Sequence, residues 1–498
     1  MQNVSQNRFQ VIEPSFDVRE VGHVKSVRDC IVRAVGLPSC LNGQLVEFCN
    51  GTQGMVMGFT EEDVQILAFG VKGELRAGDE VYNKGGSFRV PVGDNFLGRV
   101  VNALGEPADG KGPVESKGDL PVFGDAPEIM ERVPVHETME MGTRMVDAAM
   151  AVARGQRQLL IGDKMTGKST IALDAVLNQK GRETICIYCV IGKPYSTLVK
   201  VLQLLHENEA MEYSIVVSGI ASTSAGEQYL APYTGAALGE YFMRRGKHVL
   251  MVLDDLTKHA WVYRQLSLLM ERAPGREAYP GDIFYIHSQL VERAACLAPE
   301  FGGGSMTFLP ICDILQGDVT GFIPTNLISM TDGQIYMSTP LFNKGQKPAI
   351  DLGLSVSRIG SKGQWKSMKE VSGRIRLEHL LYQDLLKSTQ LRSSLSADAA
   401  ARIKRGSALS EIFVQGKASP VPIEEQVVLL HAWNQGVMDE LSDEEKKRFK
   451  DDFPLRMREW YPQMLQEMRD SQKLTDQMKE KIVEGAKRYV PGWSPKEK

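Results

Sequence analysis

The sequence predicts a multidomain α+β protein with an N-terminal β-barrel, a central α/β domain built on a parallel sheet, and a C-terminal all-α domain. Three patterns lead to this prediction. Short strand-like runs with turn signals precede residue 90, apolar strands alternate with helix-length segments up to residue 364, and only helical periodicity follows. At 498 residues the chain is long enough for about three domains of ordinary size.

Composition and charge restrict the class of protein. Hydrophobic residues make up 43% and charged residues 24% of the chain, and the formal net charge is -4, values typical of a globular protein. The near balance of charges argues against a general nucleic-acid binder, which needs an excess of Lys and Arg. The sequence contains no apolar run of membrane-spanning length and no signal-peptide pattern, which predicts a cytosol-like compartment.

The first part of the chain is predicted to be a tail over residues 1–16 and a barrel over residues 17–89. The barrel region contains the runs DCIVRAVGL, GQLVEFC, GMVMGF, VQILAFG and SFRVPVG, separated by turn signals such as NGTQG and RAGD. Many short strands without helical periods are typical of a small barrel or sandwich.

Residues 90–364 are predicted to form the central domain and residues 365–498 the helical domain. The runs RQLLI, ICIYCVI, YSIVVSGI and HVLMVLDD alternate with helix-length segments, which indicates a parallel sheet covered by helices. In the last part, apolar residues recur at steps of three and four, which predicts amphipathic helices. The two series are Val427, Leu430, Trp433, Val437 and Leu441, and Leu474, Met478, Ile482, Ala486 and Tyr489.

The seven cysteines are an odd number and are scattered along the chain, which favours free thiols over a disulfide framework. Cys186 and Cys189 form a CxxC inside the apolar run ICIYCVI. Residues three apart on a strand point to opposite faces, so these two thiols do not converge on one metal. We therefore expect both to be core residues.

The stretch IGDKMTGKST contains the pattern GxxxxGK[ST] between an apolar strand and a predicted helix. Its glycines allow successive N–H groups to turn inward around a phosphate at a helix N-terminus. Lys168 is expected to reach the β and γ phosphates, and the Ser169 hydroxyl to ligate Mg²⁺. The predicted phosphate-binding loop, or P-loop, comprises Gly162, Asp163, Lys164, Met165, Thr166, Gly167, Lys168, Ser169 and Thr170.

A site of this kind also needs a carboxylate at the end of a neighbouring strand. In HVLMVLDDL, Asp254 directly follows the apolar run, and Asp255 stands next to it. Asp254 is therefore the better candidate for the second magnesium ligand, beside Ser169.

Hydrolysis needs a base that holds the attacking water, and in RecA-like motor ATPases a Glu usually provides it from the end of the next strand. In this chain Lys193 occupies that place. A lysine amine, with a reference pKa of about 10.4, is a cation at neutral pH and cannot accept a proton from water. The site is therefore expected to hold Mg-ATP and do little with it, although Glu227 and Glu240 remain as carboxylates that the fold could bring near.

Further segments carry a resemblance to a known family. They are LGRVVNALGEPADGKGP, QYLAPYTGAALGEYF, VLDDLTKHAWVYRQLSLL, PGREAYPGDIFYIHSQLVERAA, IPTNLISMTDGQIY and GLSVSRIG. Together with IGDKMTGKST they resemble the alpha subunit of F-type ATP synthase, in order and spacing, from about Val21 to the last helix. The resemblance is specific to alpha subunits, because the P-loop and the Glu-bearing strand end of beta subunits differ.

The resemblance implies a β-barrel, a RecA-like nucleotide domain and a helical domain, in a ring where three alpha and three beta subunits alternate around a rotating gamma subunit. Such alpha sites bind ATP or ADP with Mg²⁺ without turnover, while the whole complex couples ATP synthesis or hydrolysis to ion transport. The resemblance also implies a peripheral position at the cytoplasmic face of an energy-transducing membrane, expected to be a bacterial plasma membrane, and no nucleic-acid partner.

Arg358, in LSVSRIG, matches the arginine that alpha subunits extend into the catalytic site of the neighbouring beta subunit. A guanidinium suits this role because it is permanently charged and presents a planar fork of donors to phosphoryl oxygens. Such fingers are worth about a thousandfold or more in rate.

For the adenine, the resemblance implies Phe342, Lys347, Pro348, Gln415 and Lys417. The sequence departs from the family at two of these adenine residues, at the strand end and in the P-loop. Family alpha subunits usually carry Arg at Lys347, Gln at Lys417, Gln at Lys193 and Arg-Gln at Lys164 and Met165. Lys lacks the stacking plane of Arg and the paired donor and acceptor of Gln, so we expect weaker base selectivity and weaker binding.

Two other segments bear on partners. The acidic DELSDEE, residues 439–445, resembles the loop by which beta subunits push the shaft, but its topological counterpart is expected near residues 394–398. Ser442 and Glu445 form a capping box, so we interpret the segment as a helix start. MQNVSQNRFQVIEPSF lacks the amphipathic helix by which family alpha subunits attach the stator, which predicts altered contact with the delta and b subunits.

Two alternatives stay open at this point. One is a self-sufficient RecA-like hexameric ATPase that uses another carboxylate as its base. The other is a hexameric helicase of the Rho kind, which shares the plan of a barrel followed by a RecA-like domain, although neither the charge balance nor the helical C-terminal domain supports it.

Overall fold

The computed structural model describes residues 20–70, 73–389 and 396–494. The protein divides into two compact units, one ending at Phe88 and one beginning at Arg89. The predicted tail over residues 1–16, with its expected change in stator contact, lies outside the described residues, as do residues 394 and 395 of the predicted loop counterpart.

The first unit is a closed barrel of antiparallel strands in the order β1-β2-β5-β4-β3-β6. The barrel closes where Val21 of the first strand pairs with Tyr82 of the last. Its interior is apolar, with Val32, Ile66 and Val81 fully buried. The predicted barrel is confirmed, and its strands are β1 (Val21–Arg28), β2 (Ile31–Val35), β3 (Gln44–Phe48), β4 (Gln53–Phe59), β5 (Val64–Phe69) and β6 (Glu80–Ser87).

The second unit is built on a large, mostly parallel sheet in the order β19-β18-β12-β17-β15-β13-β14-β8, with β16 paired to β17. Two small sheets, β7-β9 and β10-β11, stand apart from it. The strands are β7 (Arg89–Val92), β8 (Val100–Asn102), β9 (Gly118–Pro121), β10 (Thr138–Met139), β11 (Val152–Ala153), β12 (Leu159–Asp163), β13 (Thr184–Ile191), β14 (Ser214–Gly219), β15 (His248–Asp254), β16 (Ala295–Cys296), β17 (Ser305–Ile314), β18 (Gly333–Met337) and β19 (Val356–Ser357).

Helices follow the central strands and cover the sheet, which explains why its strands are continuous apolar runs. Every residue of β13 and β14 is buried. Cys186 and Cys189 lie within β13 with no exposed surface, so the prediction that they are core residues is confirmed. The helices of this part are α1 (Arg144–Ala149), α2 (Lys168–Leu177), α3 (Tyr195–Glu207), α4 (Ala225–Met243), α5 (Leu256–Leu269), α6 (Ile283–Val291), α7 (Phe322–Met330) and α8 (Thr339–Asn343).

The last part of the protein is all helical, as predicted. One hydrophobic cluster runs from the central sheet into these helices and includes Met145, Met368 and the fully buried Trp433. The two parts therefore share a core within one compact unit. The helices are α9 (Lys366–Ser372), α10 (Ile375–Thr389), α11 (Ala397–Phe413), α12 (Ile423–Asn434), α13 (Asp443–Trp460), α14 (Pro462–Ser471) and α15 (Asp476–Tyr489).

One helical series of the sequence continues past the helix that it predicts. Helix α12 ends at Asn434, and Gly436 follows with a φ of 80°, a left-handed conformation that favours glycine. Val437 and Leu441 nevertheless pack on the same core, although they lie beyond the helix. The apolar pattern therefore predicts the buried positions correctly, but the helix that it predicts is too long.

The acidic segment 439–445 contains the start of α13. The Ser442 hydroxyl accepts a hydrogen bond from the Glu445 N–H, and the Glu445 carboxylate accepts one from the Ser442 N–H. The interpretation of this segment as a helix start with a capping box is confirmed.

Candidate nucleotide-binding site

The P-loop joins the end of β12 to the start of α2. Gly167 precedes α2 with a φ of 101°, a left-handed conformation that few other residues adopt. Gly162 is required for a different reason, because a Cβ at this position would lie 2.5 Å from the carbonyl oxygen of Met337. The strand, loop and helix that the motif requires are therefore all present.

Lys168 lies folded inside its own loop. Its Nζ donates hydrogen bonds to the carbonyl oxygens of Gly162, at 2.9 Å, and Asp163, at 2.6 Å. It also forms an ion pair with Asp313 at 3.0 Å. Sequence reasoning missed Asp313, although the strand-like run SMTFLPICDI, which becomes β17 beside β12, carries this carboxylate near its end.

Asp163 fixes the other side of the loop. Its side chain accepts hydrogen bonds from the backbone N–H of Gly317, at 2.9 Å, and from the Thr339 hydroxyl, at 2.5 Å. Its carbonyl oxygen accepts a hydrogen bond from the Thr166 hydroxyl at 2.8 Å. Asp163 and Thr166 are thus positioning residues for the loop backbone.

The two residues predicted to ligate magnesium lie close together, and Lys193 lies between them. The Lys193 ammonium bonds to one carboxylate oxygen of Asp254 and donates to the Ser169 hydroxyl at 3.3 Å. The other Asp254 oxygen accepts a hydrogen bond from the Tyr188 hydroxyl at 2.7 Å. Asp254 is 1% exposed, so Lys193 supplies its counter-charge and Tyr188 supplies a hydrogen bond in place of water.

This arrangement tests how well the pair fits Mg²⁺. The ion takes oxygen ligands that offer lone pairs, whereas an ammonium has only donors and carries a like charge. A Mg²⁺ ion bound to both Ser169 and Asp254 would have to displace the Lys193 ammonium. Magnesium ligation by this pair stays a prediction, and the pair as it stands in this structure does not fit the ion.

Asp255, the neighbour of the predicted ligand, has a structural role. One of its carboxylate oxygens caps α5 by accepting a hydrogen bond from the Lys258 N–H at 2.8 Å. Burial, followed by the nearby charge of Asp313, raises the pKa of Asp255 to about 7. The second oxygen lies 4.0 Å from Lys193 Nζ and 3.8 Å from Lys258 Nζ.

The two carboxylates considered as alternative bases are engaged elsewhere. Glu227 forms a capping box with Ser224 at the start of α4. Glu240 forms a buried, bidentate ion pair with Arg293, with N···O distances of 2.6 and 2.7 Å. Both carboxylates therefore serve the fold, and neither is in a position that sequence alone could have excluded.

A cavity of about 300 Å³ adjoins the P-loop, and we call it the base cavity because residues predicted to hold the adenine line it. It is lined by residues from the loop, from the end of α8 and from the connection between α11 and α12, segments that lie far apart in sequence. The Lys347 ammonium stands over the Phe342 ring at 5.1 Å from its centroid. The predicted residues that line this cavity are Met165, Thr166, Gly167, Thr170, Phe342, Lys347, Pro348, Gln415 and Lys417.

Gln415 uses its side chain to hold the cavity wall together. Its carbonyl oxygen accepts a hydrogen bond from the Arg144 N–H at 3.0 Å, and its amide donates to the carbonyl oxygens of Gly142 and Ser419, each at 2.8 Å. The amide therefore positions the loop that carries Lys417 rather than projecting freely into the cavity.

Asp174 is a cavity residue that sequence reasoning missed. Its carboxylate accepts a hydrogen bond from the Ala418 N–H at 2.9 Å. Burial raises its pKa to about 6, against the lowering effect of the Lys417 charge. A signal was available, because Thr170 and Asp174 are four apart on α2 and so share the helix face that meets the base cavity.

The two P-loop residues that depart from the family differ in their contacts. The Lys164 ammonium lies 5.5 Å from the centroid of the Trp261 ring. Met165 is 90% exposed, has a φ of 64° and lies at the cavity wall. An apolar side chain at this position brings no hydrogen-bonding group to the cavity.

Arg358 lies at the other end of the sheet from the P-loop. Its N–H bonds to the Asp332 carbonyl oxygen at 2.8 Å, just past the pairing of Ser357 with Gly333 at the start of β18. The P-loop follows the opposite end of β12, so Arg358 and the P-loop are separated along the strand direction by roughly 20 Å at the usual rise per residue. Arg358 is exposed, and its guanidinium has no hydrogen-bond or ion-pair partner among the described residues.

Comparison with known families agrees with this architecture along most of the sequence. Residues 17–85 match the beta-barrel domain of the ATP synthase alpha/beta family, residues 142–357 match its nucleotide-binding domain, and residues 364–489 match its C-terminal domain. The ATP synthase subunit alpha of Helicobacter pylori strain G27 is 45% identical over 466 residues, covering 94% of this chain and 93% of that protein.

The chain belongs to the alpha subunits of the ATP synthase alpha/beta family. The corresponding protein of Helicobacter pylori strain Shi470 has the same identity and coverage. This membership agrees with the barrel, the parallel sheet with its P-loop, and the helical C-terminal part. No helix in the described ranges of this alpha-family protein is long and apolar enough to cross a membrane.

Proposed function

We propose that this protein is the alpha subunit of an F-type ATP synthase, alternating with beta subunits in a ring around a gamma shaft. In this role it binds ATP or ADP at its own P-loop without turning the nucleotide over. It acts in catalysis through Arg358, which enters the site of the adjacent beta subunit during ATP synthesis or hydrolysis coupled to ion transport. Family membership and the chemistry of the two separate sites support the proposal.

Nucleotide binding is supported by the cavity beside the P-loop. A volume of about 300 Å³ with an aromatic ring, apolar walls and a few polar groups is typical of a small-ligand site. The loop glycines and the start of α2 supply backbone N–H groups for phosphates, and the Phe342 ring supplies a stacking surface for a base.

The absence of turnover is supported by the groups around Ser169. Lys193 occupies the strand end where a base is expected, and it is bonded to Asp254. Glu227 and Glu240 are held in structural contacts. Both findings weigh against the alternative that the protein is a self-sufficient ATPase.

The observation that carries the proposal is the position of Arg358. An exposed guanidinium, separated from the P-loop of the same subunit by roughly 20 Å, cannot reach a phosphate bound there. It can reach a phosphoryl group presented by a neighbouring subunit. A permanently charged planar fork suits the charge that develops on transferring phosphoryl oxygens.

The test is reconstitution of the ring with the variant Arg358→Ala. ATP hydrolysis by the assembled complex should fall by about a thousandfold or more, because the transition-state charge loses its fixed counter-charge. Arg358→Lys should recover only part of the rate, since an ammonium lacks the bidentate fork. Ring assembly by size-exclusion chromatography and nucleotide retained by the alpha subunit should not change.

Lys362→Ala is the matched control, because it removes another exposed cation of the same region. We expect it to change the rate by no more than about twofold, as most exposed substitutions do. Normal hydrolysis by an assembled Arg358→Ala complex would refute the role of Arg358. Hydrolysis by the isolated subunit that is lost in Lys168→Ala would favour the self-sufficient ATPase, and stimulation by RNA would favour the helicase.

We also propose that the assembled protein is peripheral to an energy-transducing membrane, on the cytoplasmic face of a bacterial plasma membrane. Contact with the delta and b subunits of the stator belongs to the same proposal. Co-purification of the protein with a membrane fraction, and its release without detergent at low ionic strength, would test the peripheral position.

A further inference from the structure

Lys193 lies where the two predicted magnesium ligands converge. Its ammonium bonds to Asp254 and donates to the Ser169 hydroxyl, and its side chain is only 14% exposed. Gly192 turns the backbone at the end of β13 with a φ of 59° and so directs Lys193 toward α2. A cation of the protein itself thus occupies the space that a metal ion between these two side chains would need.

The charges around this point are already matched. The pairs are Lys168 with Asp313 at 3.0 Å, Lys193 with Asp254, and Lys258 with Asp255 at 3.8 Å. With a neutral residue at position 193, Asp254 would lack its counter-charge, which a divalent cation could supply. With Lys193 in place Asp254 is already paired, and the ammonium repels the ion.

An ammonium can also serve a phosphate directly. Lys is a compact point charge with three donors, and it bonds well to phosphate oxygens. Lys168 is the first residue of α2 and Lys193 follows the end of β13, so both can face a polyphosphate bound at the helix N-terminus. Each ammonium can donate a hydrogen bond to a phosphate oxygen while it keeps its carboxylate partner, and these donors take the place of metal contacts.

We propose that Lys193 is a tethered counter-cation that replaces magnesium in this site, so that the protein takes metal-free nucleoside diphosphates and triphosphates. The inference rests on the proposed function to the extent that a nucleotide binds at the P-loop. It concerns only the form in which that nucleotide binds. The catalytic site of a beta neighbour is not affected.

The experiment is calorimetric titration of the full-length protein with ATP, once in excess EDTA and once in excess MgCl₂. For the wild type we expect binding at least about tenfold weaker in MgCl₂ than in EDTA, because Mg²⁺ complexes ATP in solution and must be released before ATP binds beside Lys193. For Lys193→Gln, which restores a neutral residue beside Asp254, we expect binding at least about tenfold tighter with MgCl₂ than with EDTA. Each variant is first checked for native unfolding behaviour by circular dichroism.

Two further variants keep the test decisive. Lys193→Arg retains a cation and should keep the wild-type preference for metal-free ATP, which protects the conclusion if Lys193→Gln does not fold. Lys168→Ala should lose ATP binding in both buffers, showing that the P-loop is the site measured. Wild-type binding that is as tight in MgCl₂ as in EDTA, or tighter, would overturn the inference and leave the nucleotide-binding proposal intact. Failure of the wild type to bind ATP in either buffer would overturn both.

Discussion

At the scale of single residues, Asp174 shows how the base cavity departs from the expected set. Its side chain is almost fully buried and faces the cavity beside Lys417. A carboxylate in such a place is disfavoured in its charged form, and burial raises its pKa to about 6. Because the folded-state pKa lies above the unfolded one, the native state binds more protons between about pH 4 and pH 6.

Asp174→Asn tests this consequence. The wild type should lose stability as pH rises from about 4 through 6, whereas the variant lacks this titration and can still accept the hydrogen bond from Ala418. Its free energy of unfolding should exceed that of the wild type by about 1 to 3 kcal/mol at pH 7.5 and match it near pH 4. Urea denaturation at both pH values measures the difference, with exposed Asp119→Asn as control. Equal effects of the two substitutions at pH 7.5 would contradict the argument.

At the scale of elements, the packing of α10 against α11 depends on Gly406. A Cβ at this position would lie 2.3 to 2.5 Å from the Cβ, Cγ and Cδ2 atoms of Tyr382. These atoms are close to the backbone of α10 and cannot move aside without the helix. Gly406 is therefore present for close approach, although glycine in a helix interior normally lowers stability.

Gly406→Ala should destabilise the protein by about 1 to 3 kcal/mol, the usual cost of overpacking. In an unobstructed helix the same change would stabilise it by about 1 kcal/mol. Gly485→Ala in α15 is the matched comparison, because its new Cβ meets the Met457 thioether, a flexible group that can move. Thermal unfolding of both variants measures the ranking. A more stable Gly406→Ala variant would show that the helices separate at little cost.

At the scale of the whole molecule, the helices after Trp365 are part of the same core as the central sheet. Gln426 of α12 donates to the buried carboxylate of Asp147 at 2.8 Å, and Arg144 donates to the carbonyl oxygen of Ile412 at 3.3 Å. The base cavity is likewise lined by residues from both parts, because Gln415 and Lys417 of the helical part face the P-loop residues. The barrel, in contrast, has a hydrophobic cluster of its own.

Fragments of the protein should fold only when they contain a whole hydrophobic core. A fragment of residues 17–88 should fold by itself, and residues 89–498 should unfold in one cooperative transition. Residues 89–364 alone should be insoluble or lack a cooperative transition, because removal of the helices exposes the shared apolar surface. Circular dichroism during thermal unfolding distinguishes these outcomes. A soluble fragment 89–364 with a sharp transition would mean that the helices add little to the core.

Local patterns were enough to predict the elements and the P-loop. The P-loop residues from Gly162 to Ser169 are contiguous, and the runs that became β12, β13, β14 and β15 are buried on both faces, so period and composition report them directly. The capping box at Ser442 is similarly local. The exception is the end of α12, where apolar residues continue to pack on the core after the helix has ended at Asn434.

Only the tertiary structure decided which distant groups meet. The bond between Lys193 and Asp254, the pairing of Lys168 with Asp313 and the presence of Asp174 in the base cavity each join segments that no periodicity connects. The sheet order placed Arg358 at the edge and end away from the P-loop. Such contacts depend on the order of the strands in the sheet and on the packing of the helices. They join residues that are far apart in sequence, and no periodic pattern in the sequence predicts them.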